Sequence, residues 1–386
     1  MSKSKLKICH VITRMIVGGA QENTLLTACG HLINGHSCVL LTGPSPGPEG
    51  ELLRKKTVPG GLEVVECPDL IREINPLRDI SAYRFLKRFF MQRNFDVVHT
   101  HSSKAGVIAR AAARSANVPV IFHTVHGLAF HRYESRFKNM IYILSERWAA
   151  KRCDKILAVA QAMVDQCVSA KIANRDKFRV VYSGMELEPY LDASKKRSAI
   201  RNRLGIPHDA PVIGTVARLF PLKGYEDFIP AAAKIAKEIP EVRFLVVGDG
   251  EMMDDVKKEA EGRGLKFHFA GLVPPDQVAE QISAMDLLIH LSLREGLPRA
   301  VVQALAGGIP AIAYDLDGAP EVIVNGRSGY IVPPRDLDAV AKSATDLIRD
   351  SEKRKLMGQE GRKIALKNFD WKQMVDIIEN LYMDKI

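Results

Sequence analysis

The chain has no uninterrupted apolar stretch of the roughly 18 residues that a membrane-spanning helix requires, so no span is expected. Its six cysteines, at positions 9, 29, 38, 67, 153 and 167, are scattered and never form a C-x-x-C pair. Neither a zinc site nor a disulfide framework is expected from them, and a reduced, cytoplasmic setting is the simplest reading. A G-x-G-x-x-G run is also missing, which removes the nicotinamide fingerprint. The start, Met1-Ser2-Lys3-Ser4-Lys5-Leu6-Lys7, is basic, but His10, Thr13 and Arg14 interrupt the apolar run behind it. That run fails as the core of a secretory signal. Internal short-period repeats and low-complexity tracts are absent as well.

What is there is a chain of 386 residues with a net charge of +10. The length suits two domains of about 150–200 residues. Residues 1–200 hold 30 lysines and arginines against 17 acidic residues, whereas the remainder holds 25 against 28. All of the excess positive charge therefore sits in the first half. It suits a phosphate-bearing acceptor or an anionic membrane surface. No recognition motif accompanies it, so nucleic acid is not expected as a partner.

Apolar β-type runs alternate with helical periodicity along the first half. Strands are predicted at 6–12, 38–42, 62–65, 96–100, 120–125, 155–158 and 179–181, with helices at 21–33, 80–92, 104–116, 135–152 and 160–170. Residues 44–50, rich in proline and glycine, read as a turn-rich loop. The pattern pauses in a polar stretch, Ser183 to Pro211, and then restarts. Further strands are predicted at 212–216, 243–247, 266–270, 287–291, 311–313 and 329–332, with helices such as 225–238 and 276–285. Strand–helix alternation of this kind implies a parallel sheet covered on both faces. The fold class is therefore α/β, with two doubly wound, Rossmann-like domains, 1–190 and 191–369. In such sheets ligands bind beyond the carboxyl ends of the strands.

Several residue groups carry chemistry. The strand ending at Val216 runs into Ala217-Arg218-Leu219-Phe220-Pro221-Leu222-Lys223-Gly224, which puts two cations at a strand end where a diphosphate could be neutralised. Glu295-Gly296-Leu297-Pro298 precedes a short helix. Proline suits a helix start, and the free amides there attract phosphate or sugar oxygens. Gln303, eight residues after Glu295, returns to about the same helical face. Gly18-Gly19 opens the first helix after the first strand, where backbone can approach a ligand closely. Leu272 and Val273 follow another strand and could frame a base. Gly248-Asp249-Gly250 and Asp317-Gly318-Ala319-Pro320-Glu321 read as turns at strand ends. Five histidines, 99, 101, 123, 126 and 131, crowd a short stretch of the first half, with strand alternation placing His99 and His101 on one face. Their spacing does not read as a metal site. Taken singly, each group also fits an ordinary role, as surface cation, helix start, turn or core histidine.

Taken together, the Arg218–Gly224 and Glu295–Gln303 segments resemble the retaining nucleotide-sugar glycosyltransferases of family 4, including capsule- and exopolysaccharide-type enzymes. The resemblance implies the GT-B fold, with two domains facing across a cleft and the terminal helix 370–386 packing back on the first. It implies a UDP- or GDP-sugar donor and a hydroxyl acceptor, lipid-linked or a growing polysaccharide. No cofactor and no metal would be needed, because cations stabilise the leaving diphosphate. Arg218, Lys223, Glu295 and His126 would be catalytic. Gly18, Gly19, Gly296, Leu297, Pro298, Gln303, Leu272 and Val273 would bind the donor, and Ser102, Ser103 and Lys104 would line the acceptor side. The family pattern has glutamate where this chain has Gln303; a glutamine can still bond ribose hydroxyls. A GT-B nucleotide-sugar 2-epimerase and a non-catalytic nucleotide-sugar-binding protein are the alternatives.

Two helical stripes in the first half mix apolar and basic residues. One is Phe137, Met140, Ile141, Leu144 and Trp148, among Arg136, Lys138, Arg147, Lys151 and Arg152. The other is Tyr83, Leu86, Phe89 and Phe90, with Lys87, Arg88 and Arg93. Each fits either a surface helix packed on its own sheet or a basic amphipathic helix on a membrane. The second option implies an enzyme peripheral to the inner face of the cell membrane.

Overall fold

A computed structural model describes residues 5–45, 47, 50 and 61–386. Residues 1–4 of the basic start and, within the 44–50 loop, Pro46, Pro48 and Glu49 lie outside the described residues. The chain divides into two compact units: residues 1–185 with 371–386, and residues 186–370.

Among its described residues the first unit holds seven parallel strands: β1 (Lys7–Ile12), β2 (Ser37–Thr42), β3 (Glu63–Glu66), β4 (Val97–His101), β5 (Val120–Val125), β6 (Lys155–Ala158) and β7 (Phe178–Val180). Their spatial order is β3-β2-β1-β4-β5-β6-β7. Chain direction along the sheet reverses between β1 and β4, which makes that seam the topological switch point. Strands covered on both faces are normally near-continuous apolar runs. Here β1, β4 and β5 instead carry His10, His99, His101 and His123 at fully or almost fully buried positions.

The terminal helix Trp371–Met383 belongs to this unit. Met374, Val375, Ile378 and Tyr382 enter its core beside Ile8, Val97 and Phe122. The helix lies against Gly19–Ile33, and Gly30 is what admits it: a Cβ there would come within 2.5 Å of Val375 Cγ2. Asn23 donates to Ser183, and Asn34 donates to the buried Glu379 at 2.6 Å.

The two amphipathic stripes part company in the fold. In the helix Pro76–Arg93, Leu86 and Phe90 are buried, so that stripe is core. In Arg136–Ala150 only Ala149 and Ala150 are buried, and Phe137, Met140, Ile141, Leu144 and Trp148 all stand exposed. Among the described residues no helix is long and apolar enough to cross a membrane.

The second unit holds β8 (Val212–Val216), β9 (Arg243–Val247), β10 (Phe267–Gly271), β11 (Leu287–His290), β12 (Ala311–Tyr314) and β13 (Gly329–Val332). All pairings are parallel, in the order β10-β9-β8-β11-β12-β13. This is the 3-2-1-4-5-6 order of dinucleotide-binding sheets, with its switch point between β8 and β11. The polar stretch before β8 is not a bare linker. It folds into the helices Glu188–Leu191 and Arg197–Arg203. Arg201, almost fully buried, donates to Asp286 and to the carbonyls of Ala284, Pro207, His208 and Ala210. A guanidinium satisfied on every side lets a charge-rich segment act as structure.

Candidate active site

At the carboxyl end of β8 the chain turns through Ala217–Gly224. Leu219 is buried and its amide donates to Asp249 O, so the Gly248-Asp249-Gly250 turn braces the loop. Tyr225, the first residue of the next helix, reaches back to Ala217 O at 2.9 Å. Gly224 adopts φ +84°, and a Cβ there would meet Leu291 O at 2.2 Å. Only glycine fits so close an approach in that conformation. The approach seats the loop against the segment leaving β11, where Leu293 N and Ser292 Oγ both donate to Leu222 O.

That stitching brings together two residues 72 positions apart. Lys223 Nζ lies 2.6 Å from Glu295 Oε1, and His290 Nε2 lies 3.4 Å from the same oxygen. Burial pushes the Glu295 carboxyl up, but Lys223 and His290 outweigh it and hold it well below the usual carboxylate range. Glu295 N donates to Asp317 Oδ2 at 2.7 Å, and Gly318 N donates to Gly296 O at 3.1 Å. The Asp317-Gly318 turn therefore shapes the Glu295-Gly296 loop. Arg218 is exposed, its guanidinium over the Phe220 ring at 5.2 Å. Among the described residues that guanidinium has no hydrogen-bond or ion-pair partner. The switch point of the second unit thus carries one committed cation, one uncommitted cation and one ionised carboxylate.

The residues after Glu295 play different parts. Gly296, Leu297 and Pro298 are buried; the side chains of Leu297 and Pro298 pack inward, and backbone is what all three can offer a ligand. Pro298 is the capping residue just outside the helix Arg299–Ala306 rather than inside its first turn. Gln303 is half-buried on that helix. Leu272, 37% exposed, follows Gly271 at the end of β10, with half-buried Val273 beside it. Gly271 O accepts from Gly248 N, which ties this edge to the same row of loops.

The switch point of the first unit is built differently. Ser102, at φ +61°, follows β4. Its hydroxyl bonds Thr13 Oγ1 at 2.8 Å and accepts from Thr13 N, and Thr13 Oγ1 accepts from Ala105 N. Both hydroxyls are thereby spent on joining the ends of β1 and β4. Ser103 begins the helix Ser103–Ser115. Lys104, expected on the acceptor side, has its ammonium 2.6 Å from Asp79 and also bonded to Glu73 O. Gly18 and Gly19 open the first helix, with Glu22 N donating to Gly18 O.

Behind this seam lies a hydrogen-bonded cluster of histidines. His126 meets His101, His101 meets His10, and His10 meets His31. His99 is bonded to Tyr382 OH and Thr124, and His123 to Thr100. His131 stands apart, its backbone held by Asn139. Burial lowers His10 to about 3, and burial together with neighbouring imidazoles keeps His31, His99 and His101 well below their ordinary value. His123 is lowered by burial and by Arg110. Ring nitrogens of His10, His99 and His101 lie within 4.8 Å of one another, close enough to be weighed as metal ligands, and all three rings are hydrogen-bonded within the cluster. Sequence reasoning did not find His10, His31 or His290. The only signal for His10 was a polar residue at a buried strand position, and His31 and His290 offered none.

Comparison with known proteins identifies the family. The model for "Glycosyltransferase Family 4" matches residues 17–189, and that for "Glycosyl transferases group 1" matches residues 196–364. The chain belongs to the family 4 glycosyltransferases. An Escherichia coli relative, the UDP-Gal:alpha-D-GlcNAc-diphosphoundecaprenol alpha-1,3-galactosyltransferase, is 29% identical over 99% of this chain and 98% of its own length. The Staphylococcus aureus capsular polysaccharide biosynthesis glycosyltransferase CapM is 27% identical over 86% of this chain and 91% of its own. The solved structure of Anabaena HepE in complex with UDP-glucose superposes with a TM-score of 0.82, at 22% identity, over 98% of this chain and all of that one. The fold of this glycosyltransferase is GT-B.

Proposed function

We propose that this glycosyltransferase is a retaining, metal-independent enzyme that moves a sugar from a nucleotide diphosphate to a hydroxyl on a lipid-linked or polysaccharide acceptor. The observation that carries the reading is the Lys223–Glu295 pair joined to the Asp317 turn, with uncommitted Arg218 beside it, at the switch point of a 3-2-1-4-5-6 sheet. Arg218 and Lys223 stabilise charge on the departing diphosphate. Glu295 and the backbone after it hold the sugar, Gln303 holds ribose, and Leu272 and Val273 frame the base. Gly18 and Gly19 approach the donor through backbone. His126 and the Ser102–Ser103 turn supply the acceptor side, while Lys104, tied to Asp79, shapes that turn rather than offering its charge. The acceptor hydroxyl attacks the anomeric carbon on the face from which the diphosphate leaves. Its proton passes to the departing phosphate oxygen, so no enzymic nucleophile is needed. Within the UDP-or-GDP expectation, the E. coli relative's UDP-Gal and the UDP-glucose complex of HepE favour UDP.

The test is incubation with UDP-galactose, UDP-glucose, UDP-N-acetylglucosamine and GDP-mannose, each with a diphosphate-lipid-linked sugar, in the presence of EDTA. Release of UDP together with an α-configured glycoside supports the reading. An inverted anomer, or a strict need for added metal, overturns it. A changed sugar without transfer identifies an epimerase, and binding without turnover identifies a sensor.

The exposed stripe on Arg136–Ala150 supports an anionic membrane surface as the place where the acceptor is met. Between 132 and 152 there are six basic residues and two acidic ones. Arg152 stacks on Trp148 at 3.6 Å and Arg132 on Tyr133 at 4.9 Å. Aromatic and aliphatic side chains ringed by cations suit an interface with anionic lipid. At low salt the protein should co-sediment with phosphatidylglycerol-containing vesicles and not with neutral ones. Phe137→Ser combined with Trp148→Ser should reduce that binding at least tenfold; unchanged binding removes the surface from the reading.

A further inference from the structure

Four imidazoles in the first unit are joined head to tail. His126 Nε2 lies 2.9 Å from His101 Nδ1, His101 Nε2 lies 3.0 Å from His10 Nδ1, and His10 Nε2 lies 3.2 Å from His31 Nδ1. Each inner ring uses one nitrogen in each direction. At the far end His31 Nε2 is buried and, among the described residues, without a hydrogen-bond partner. His10, His31 and His101 are fully buried, whereas His126 is half-buried. The chain therefore runs from the end of β5, through β4 and β1, into the last turn of the helix Gly19–Ile33.

A neutral imidazole carries one proton and one lone pair on its two nitrogens. Each N···N contact needs one of each. If His126 carries its proton on Nε2, His101 must present a bare Nδ1 and so carries its own proton on Nε2, and the same rule passes to His10 and His31. If any ring carries its proton on Nδ1, all four must. A mixed chain sets two protons or two lone pairs against each other at about 3 Å. We propose that His101, His10 and His31 are positioning residues that lock the tautomer of His126, so that its remaining nitrogen, Nδ1, is donor or acceptor according to the state of the whole chain.

The end of the chain selects the resting state. With every proton on Nε2, His31 buries an unpaired N–H; with every proton on Nδ1, it buries only a bare nitrogen. Orphaned buried N–H groups are the rarer arrangement in proteins, so the resting chain is Nδ1–H throughout and His126 Nδ1 is a donor. This role rests on the placing of His126 at the acceptor side in the proposed function. His99 stacks on His101 at 4.4 Å, but it bonds Tyr382 and Thr124. His36, edge-on to His31, accepts from Leu6 N on Nδ1 and turns Nε2 toward Glu379 at 3.4 Å. His123 bonds Thr100, and Arg110 beyond it pairs with Glu146 at 2.7 Å.

The experiment is long-range proton–nitrogen correlation NMR on the full chain labelled with 15N-histidine at pH 7, with rings assigned by single His→Gln variants. A uniform tautomer across His126, His101, His10 and His31 supports the lock. Opposite tautomers on adjacent rings, or a protonated ring among the buried three, overturns it. His31→Asp places an acceptor at the far end once ionised. It should flip His10, His101 and His126 together to Nε2–H, which a merely structural ring would not transmit; a change confined to His10 overturns the coupling. Should that variant fail to fold, the wild-type pattern decides alone. No donor sugar is involved, so this outcome is separate from any failure of the transferase assay.

Discussion

The two units share one design, a parallel sheet whose chain direction reverses beside its first strand, yet they fill that place with opposite chemistry. In the second unit the reversal between β8 and β11 gathers full charges on loops: Lys223 against Glu295, and Arg218 exposed beside them. In the first, the reversal between β1 and β4 gathers neutral rings inside the sheet, with Thr13 and Ser102 bonded to each other above them. The basic surplus runs the other way. The first unit holds 29 lysines and arginines against 17 acidic residues, and the second 26 against 28. Net charge thus does not report where a charged site lies. It describes the outer surface, whereas the site is set by which few side chains the loops turn toward one another.

The sharpest way to break this comparison is acid. The first unit buries His10, His31, His99, His101 and His123 with lowered pKa values, all with burial as the leading cause. A histidine whose folded value is depressed binds fewer protons folded than unfolded. Its contribution is therefore intact above the unfolded value near 6.5 and is lost progressively below it, at up to about 1.4 kcal/mol per pH unit for each ring. The Glu295 carboxyl is depressed as well, but for a carboxylate the loss begins only below the unfolded value of about 4.3. Between pH 7 and 5.5 the hydrogen-exchange protection factors should therefore fall in the strands β1, β4 and β5 while those of β8 and β11 hold, once exchange is corrected for its intrinsic rate. An equal fall in both units would contradict the neutral-cluster account.

Next in size, Arg218→Ala should lower turnover by about 10²–10³, the usual cost of one preorganised charge contact, with little change in Tm because the side chain is exposed and uncommitted. Near-normal turnover would remove Arg218 from the diphosphate site. Lys223→Ala should lower turnover similarly and also lower Tm, since Glu295 loses its ion-pair partner. In the first unit, Tyr382→Phe removes the hydroxyl that bonds buried His99 and should cost about 1–3 kcal/mol, measured by urea unfolding, with no change in nucleotide affinity. The smallest effect is Gln303→Glu. Restoring the family's carboxylate should tighten UDP a few-fold in calorimetry, and no change would detach this position from ribose.

Much of the fold was legible because local rules suffice for it. Strands such as 120–125, 155–158, 212–216 and 243–247 fall where apolar runs predicted them, since a doubly covered sheet demands continuous apolar sequence. The helices inside the polar stretch at 183–211 were not legible, because a guanidinium reads as surface until its acceptors are known, and those of Arg201 include Ala284 and Asp286, more than eighty residues away. The two basic amphipathic stripes were indistinguishable in sequence and separated only in three dimensions. Both have helical periodicity, but only Leu86 and Phe90 found a surface to pack against.

By itself the sequence determined the α/β alternation, the family and the residue types of the second-unit loops, because all of these follow from periodicity and short motifs read along the chain. The tertiary structure alone decided that Lys223 spends its charge on Glu295, that Asp317 shapes the same loop, and that His10 and His31 join His101 and His126 in one row. Those pairings depend on which strands become neighbours across a reversal of chain direction, and on contacts a few ångströms long between residues tens of positions apart. Nothing in the order of residues along the chain encodes a distance of that kind until the sheet has closed.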